Sequence, residues 1–203
     1  MKSRIEQETT PRRTVRLLRW SQRLLLMTGL LALGYVGLAM LDARHYQVFA
    51  KRSLERQMQA EKKPHVFQPS PAIKRDDVLG RLDIPRLGLS VAVLQGTSSR
   101  TLRLGAGHID GTPLPGEAGN SALAGHRDTF FRALKDIREQ DEIQFQTVTG
   151  LFRYHVDWVK IVQPADISVL APSTQSELTL VTCYPFYFLG AAPNRFVVRA
   201  HRD

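Results

Sequence analysis

Cys183 is the only cysteine among 203 residues. It closes the apolar, β-branched run Leu178-Thr179-Leu180-Val181-Thr182, with Tyr184-Pro185 directly behind it. A proline brings no backbone N–H, so the ladder of such a strand stops there. A thiol at the end of a buried strand, facing a loop, is held firmly and can still be reached, which suits a nucleophile. A free cysteine has a pKa of about 8.5, so it needs a cation or a base beside it to react at neutral pH. Two segments can supply one. Ala124-Gly125-His126-Arg127-Asp128-Thr129-Phe130 places a histidine between a strand end and a helix start. Pro193-Asn194-Arg195-Phe196 places an arginine at the mouth of the last strand, twelve residues after Cys183. If those two strands pair, Arg195 lies beside the thiol and can face an oxyanion. Taken singly, each group also has a plain reading. Cys183 fits a small buried hydrophobe, His126 a loop histidine bonded to backbone, and Arg195 an exposed or salt-bridged side chain.

The elements that would hold these groups are mostly strands. Val78–Ile84 and Leu89–Leu94 are short apolar strands split by Pro85-Arg86-Leu87-Gly88. Ser98–Leu104 suits a helical turn, Gly105–Gly116 reads as a glycine- and proline-rich loop, and Asn120–Ala124 as a short strand of small residues. Apolar residues at 130, 131, 134 and 137 have helical spacing, with Asp128 or Thr129 as N-cap, so Arg127 and Asp128 are expected to organise that helix start. Ile143–Val148 and Leu151–Val162 form a hairpin around Thr149-Gly150, and in the second strand Phe152, Tyr154, Val156 and Trp158 alternate with their neighbours. The cysteine strand and Phe196–Ala200 follow. About eight short strands with little helix predict a mainly β domain, a closed barrel or a sandwich.

Composition narrows the function. The chain carries 28 Lys+Arg against 19 Asp+Glu, a net +9. Seven of the basic residues and only two of the acidic ones fall in residues 1–23, so the basicity is mainly a tail, and no nucleic-acid-binding signature accompanies it. One cysteine excludes an internal disulfide and a structural zinc site, and the six histidines are scattered. No metal or cofactor is expected. Glu139, Asp141 and Glu142 read as an ordinary surface group.

From Leu24 to Leu41 the chain is uncharged, 18 residues with Trp20 at an interfacial position. This run predicts an uncleaved membrane anchor over 17–41, shorter than average but helped by tilt and by Arg23 reaching to the interface. Seven basic residues precede it, and four (Arg44, Lys51, Arg52, Arg56) follow within fifteen residues. The positive-inside rule then puts residues 1–16 in the cytoplasm as a basic tail and the rest outside. Residues 42–76 read as a polar helical stalk and a Pro-rich linker, and 77–203 as the folded domain.

Three motifs give these groups a common reading. Thr-Leu-Val-Thr-Cys183, Ala-Gly-His126-Arg and Asn-Arg195-Phe-Val-Val-Arg-Ala resemble the cysteine, histidine and arginine motifs of sortases, in that family's order. The likeness extends through Gly80–Pro85, Gly107–Thr112, Leu114–Glu117 and Gly119-Asn120, and so over about residues 78–200. Ala-Gly-His-Arg-Asp-Thr-Phe-Phe with Thr-Cys-Tyr-Pro-Phe is most similar to class D sortases. The chain has no Asp-Pro dipeptide, which makes the polymerisation of pilins a less fitting role. The resemblance implies a sortase β-barrel of about eight strands with one or two short helices, behind a single membrane helix, on a bacterial cytoplasmic membrane with the catalytic domain on the extracytoplasmic side.

It further implies a cysteine transpeptidase. Cys183 would attack the threonine carbonyl of an LPxTG-like sorting signal, His126 would protonate the departing amine and deprotonate the incoming one, and Arg195 would stabilise the oxyanion. Partners would be proteins bearing the sorting signal, an amine acceptor in the cell envelope, and membrane lipid around the anchor. Thr182, Tyr184 and His108 are candidate substrate-binding residues, with His108 lining the groove or supporting the structure. The segment 184–194 could wall a groove for an extended peptide. Two alternatives stay open: a cysteine endopeptidase that only hydrolyses, and a non-catalytic surface domain on a membrane anchor.

Overall fold

In a computed structural model of the chain, residues 19–38, 41, 52, 74–187 and 190–203 are described. The tail expected over 1–16 and nearly all of the stalk and linker expected over 42–76 lie outside them. The chain divides into two units, residues 1–42 and 43–203, and each is described by itself. In the first, helix α1 (Arg19–Leu38) is 20 residues long and apolar enough to cross a membrane. Its leucines are exposed along its whole length, and at 1.5 Å per residue it spans about 30 Å, the thickness of a hydrocarbon core.

The second unit is a barrel of eight strands: β1 (Val78–Ile84), β2 (Leu89–Gln95), β3 (Ala106–His108), β4 (Gly119–Ala124), β5 (Glu142–Gln146), β6 (Leu151–Val162), β7 (Ser176–Tyr184) and β8 (Asn194–Arg202). The spatial order is β1-β2-β3-β4-β7-β8-β6-β5, and β1 pairs with both β2 and β5. That second pairing closes the sheet and decides for a barrel over a sandwich. Two neighbours are parallel, β2 with β3 and β4 with β7, and the others are antiparallel. Alternation fills the interior. Leu82 and Ile84 of β1, Phe145 of β5, Tyr154 of β6 and Leu178 and Leu180 of β7 are all buried in one core.

Helix is short, as expected, but two elements differ from the sequence reading. Helix α2 (Ser99–Leu104) is capped by Ser98, whose hydroxyl accepts from Thr101 N at 3.0 Å. The stretch 130–137, in contrast, forms only a 3-10 helix, Arg132–Asp136, and neither Asp128 nor Thr129 caps it. Three residues per turn suit it better, because Phe131, Leu134 and Ile137 are spaced by three and all three are buried. The second difference is β3, which lies within the stretch read as loop. Gly107 is there because strands approach closely: a Cβ on it would sit 2.2 Å from Gly96 O. The glycines that suggest loop instead permit sheet.

Asp141 is a correction. It is not an ordinary surface carboxylate but 7% exposed. Its Oδ2 accepts from Arg138 N at 2.8 Å and from Arg86 Nη2 at 2.5 Å, and Arg86 Nε bonds its other oxygen. Arg86 Nη2 also donates to Asp136 O at 2.7 Å, so the turn between β1 and β2 is tied to the approach to β5. The Arg86 hydrogen bond holds the Asp141 carboxyl below the usual carboxylate range, against the opposing effect of burial. A carboxyl lowered by folding contributes stability above its unfolded pKa and loses it as pH falls toward the folded value. The urea midpoint of Asp141→Asn should therefore lie below that of the native chain at pH 7. The gap should hold down to about pH 5 and close as pH drops below about 4. A gap that widens in acid would contradict this pairing.

Candidate active site

Cys183 and Arg195 sit on the adjacent strands β7 and β8, and His126 follows the end of β4, the strand on the other side of β7. On β7, Leu178, Leu180 and Tyr184 pack with the core and Thr182 is buried, so alternation turns Cys183 to the other face of the sheet. Cys183 is partly exposed there. The antiparallel register with β8 pairs Cys183 directly with Arg195. Directly opposed residues share a face with Cα atoms about 4.5–5.5 Å apart, so Arg195 is the thiol's immediate cross-strand neighbour, as the sequence suggests. The Arg195 Nη1 donates to Asn194 O at 3.0 Å and Ala192 O at 3.3 Å, which folds the side chain back over the start of β8.

His126 comes from the parallel side. The β4–β7 ladder ends with Ala124 opposite Val181. It is then extended by Gly125 N donating to Val181 O at 3.1 Å and by Thr182 Oγ1 donating to Gly125 O at 2.7 Å. His126 directly follows this tied residue. Gly125 has no alternative at this point, because a Cβ would stand 2.6 Å from the buried Phe131 ring. The His126 carbonyl accepts from Phe131 N at 3.1 Å, which turns the chain into the 3-10 helix and leaves the imidazole exposed.

The other candidates are placed differently. Thr182 is 2% exposed, and its hydroxyl is spent on Gly125. It supports the segment carrying His126. Tyr184 stacks on Phe196 with ring centres 6.3 Å apart and meets Phe186 edge-on at 6.1 Å, below the face that carries Cys183. The Tyr184–Pro185 peptide is cis. His108 is buried, with Nδ1 against Gln95 Oε1 at 3.0 Å and Nε2 against Pro113 O at 2.9 Å and Thr112 Oγ1 at 3.0 Å. That places it within the framework of β3 and the following turn, apart from the thiol's strand.

Sequence reasoning missed a set of buried polar groups that hold the connection between β6 and β7. The connection from β6 to β7 contains a 3-10 turn, Ile167–Leu170. Asn120 Nδ2 donates to Val169 O and Ala171 O, both at 3.1 Å, while Asn120 Oδ1 accepts from Thr179 Oγ1 at 2.6 Å. Arg199 Nη2 reaches the same Val169 O at 2.7 Å, with Glu177 bonded to Nη1 of the same guanidinium. A signal was available: Asn120 is a side chain of fixed polarity inside a strand of otherwise small residues, and such groups are buried only when partnered.

Comparison with known proteins fits this arrangement. The family model for the sortase domain matches residues 82–203, and this chain belongs to the sortase family, whose members are cysteine transpeptidases. Within it the chain is similar to sortase D of Bacillus subtilis (strain 168), 29% identical over 195 residues that cover 88% of this chain and 95% of that protein. A Clostridium perfringens sortase D5 transpeptidase has the same architecture, with TM-score 0.63 and 25% identity over 79% of this chain and 97% of that one. A C. perfringens sortase C, solved with the C-terminal cell wall sorting motif, gives TM-score 0.61 and 26% identity over 77% of this chain and 86% of its own.

Asn120→Ala leaves the Thr179 hydroxyl and two loop carbonyls without that partner, and should cost about 1–3 kcal/mol in chemical denaturation. Asn120→Asp, which cannot donate to the two carbonyls, should be at least as damaging at neutral pH.

Proposed function

We propose that this chain cuts a cell-wall sorting signal of the LPxTG type after its threonine and transfers the new carboxyl end to an amine on the cell envelope. The observation that carries this reading is the direct pairing of Cys183 with Arg195 on the exposed face of the barrel, with His126 directly after Gly125, which is tied to Val181 and Thr182 of the thiol strand. The sorting motif bound by the C. perfringens sortase C supports the substrate class. An extended peptide laid along the outer face of β4 and β7, between the loops that Asn120 and Arg127 hold, would present its threonine carbonyl to the sulfur.

The roles follow from chemistry. The Cys183 thiolate attacks the carbonyl carbon, and the carbonyl π electrons move onto oxygen. The Arg195 guanidinium, a fixed cation with several N–H donors, stabilises that oxyanion. When the tetrahedral species collapses, the C–N bond breaks and His126 gives the departing glycine nitrogen its proton. A thioester through threonine remains on Cys183. An incoming amine then loses a proton to His126 and displaces the thiol, so the groups return to their starting states. Water in place of the amine yields the hydrolysed peptide by the same steps.

Helix α1 serves as the anchor in this reading, with the basic residues before it on the cytoplasmic side and residues 42–203, stalk, linker and barrel, on the other. The barrel is thereby placed where sorting-signal proteins emerge. Incubation of the detergent-solubilised full chain with an LPxTG peptide and an amine acceptor should give a ligated product by mass spectrometry. Cys183→Ala should abolish it, and His126→Ala and Arg195→Ala should each lower kcat/KM on the order of 10²–10³-fold. Ligation by Cys183→Ala would exclude this mechanism. Loss with His108→Ala but not His126→Ala would move the acid–base role to His108.

A further inference from the structure

Arg127, directly after His126, is 6% exposed. A buried arginine is rare unless its donors are engaged. Its Nη1 donates to Pro185 O at 2.7 Å and its Nη2 to Gly190 O at 3.3 Å, while Nε lies 3.5 Å from the exposed Asp128 carboxylate. Pro185 is two residues after Cys183, and Gly190 is five before Arg195. One guanidinium therefore bridges the segment that carries His126 to the start and the middle of the connection between the thiol strand and the arginine strand.

The geometry matters because each other tie covers only part of the constellation. The β7–β8 ladder fixes Cys183 against Arg195, and Thr182 fixes Gly125 to the thiol strand. Past Gly125 the chain leaves the sheet, and past Tyr184 so does β7. Arg127 joins these two departures. The planar fork of arginine reaches two carbonyls at once, which the single ammonium of lysine does not reproduce.

We propose that Arg127 is a positioning residue: by clamping two points of the β7–β8 connection, Pro185 and Gly190, to the His126 segment, it holds imidazole, thiol and guanidinium in one arrangement. This rests on the transpeptidase reading above, with Cys183, His126 and Arg195 as the reacting groups. In this role the contribution of Arg127 is geometric: its Nη1 and Nη2 hold main-chain carbonyls of the connection after Cys183.

The test compares the native chain with Arg127→Ala and Arg127→Lys by two readouts. In ligation of an LPxTG peptide, Arg127→Ala should lose on the order of 10²-fold in kcat/KM, mostly in kcat, while circular dichroism shows the barrel intact. Methylguanidinium added to Arg127→Ala should recover about tenfold of that loss and do nothing for His126→Ala. Arg127→Lys should fall between the two and respond less to methylguanidinium. Independently of any substrate, hydrogen exchange in Arg127→Ala should accelerate both at residues 125–131 and at 186–192, with exchange of the β7 amides unchanged. If Arg127→Ala does not fold, Arg127→Lys carries the test: ligation and exchange both equal to the native chain would overturn the clamp. Activity of folded Arg127→Ala within about twofold of native, or unchanged exchange at 186–192, would overturn it as well. A native chain that ligates no peptide would refute the transpeptidase reading, and the exchange data would still report on the clamp.

Discussion

The hydrogen bonds between β4 and β7 continue past the last residue of β4: Gly125 N donates to Val181 O, and Thr182 Oγ1 returns a bond to Gly125 O. Each is worth about 1 kcal/mol net, but their consequence is register. A shift of one residue in β7 would turn Cys183 into the core and bring Thr182 and Tyr184 outward. The alternation that buries Leu178, Leu180 and Thr182 is the same alternation that exposes the sulfur. Stability and reactivity of the strand therefore depend on a single choice of pairing. β8 then inherits its position, and Arg195 arrives opposite Cys183 without a dedicated device.

Around this three-strand floor, the loops are held from beneath by polar side chains that are themselves buried or nearly so. Asn120 and Arg199 hold the β6–β7 turn by its carbonyls, and Arg127 holds the β7–β8 connection at Pro185 and Gly190. Each takes carbonyl oxygens that a loop has no ladder to satisfy. Burying a guanidinium or an amide is costly unless it finds partners, and these side chains find them in the carbonyls of the loops they hold.

Much of this was legible in the residues. β1 and β6 begin and end where alternation and flanking turns indicate, and the pairing of the cysteine strand with the last strand, which the sequence reading takes as a condition for Arg195 to lie beside the thiol, is present. Three features were not. β3 hides in a stretch whose glycines serve close backbone approach, and local composition cannot separate that use from a turn. The segment 131–137 keeps one buried face in either helix type, because three-residue spacing suits the tighter 3-10 turn as well as it hints at α. Asp141 and Arg127 looked like surface or helix-start charges because their partners, Arg86 at one and the Pro185 and Gly190 carbonyls at the other, are more than fifty residues away. Non-local polar pairing leaves almost no trace in a single sequence.

The central claim is that one sulfur, Cys183, carries the substrate between two amides. Mixing the full chain with a sorting-motif peptide and withholding any amine acceptor should trap it, and intact-protein mass spectrometry reads the result. The account predicts a single adduct with the mass of the peptide through its threonine, mapped to Cys183 by proteolysis and discharged on addition of hydroxylamine. Product formation with no adduct on Cys183, or with the acyl group on another residue, would contradict it.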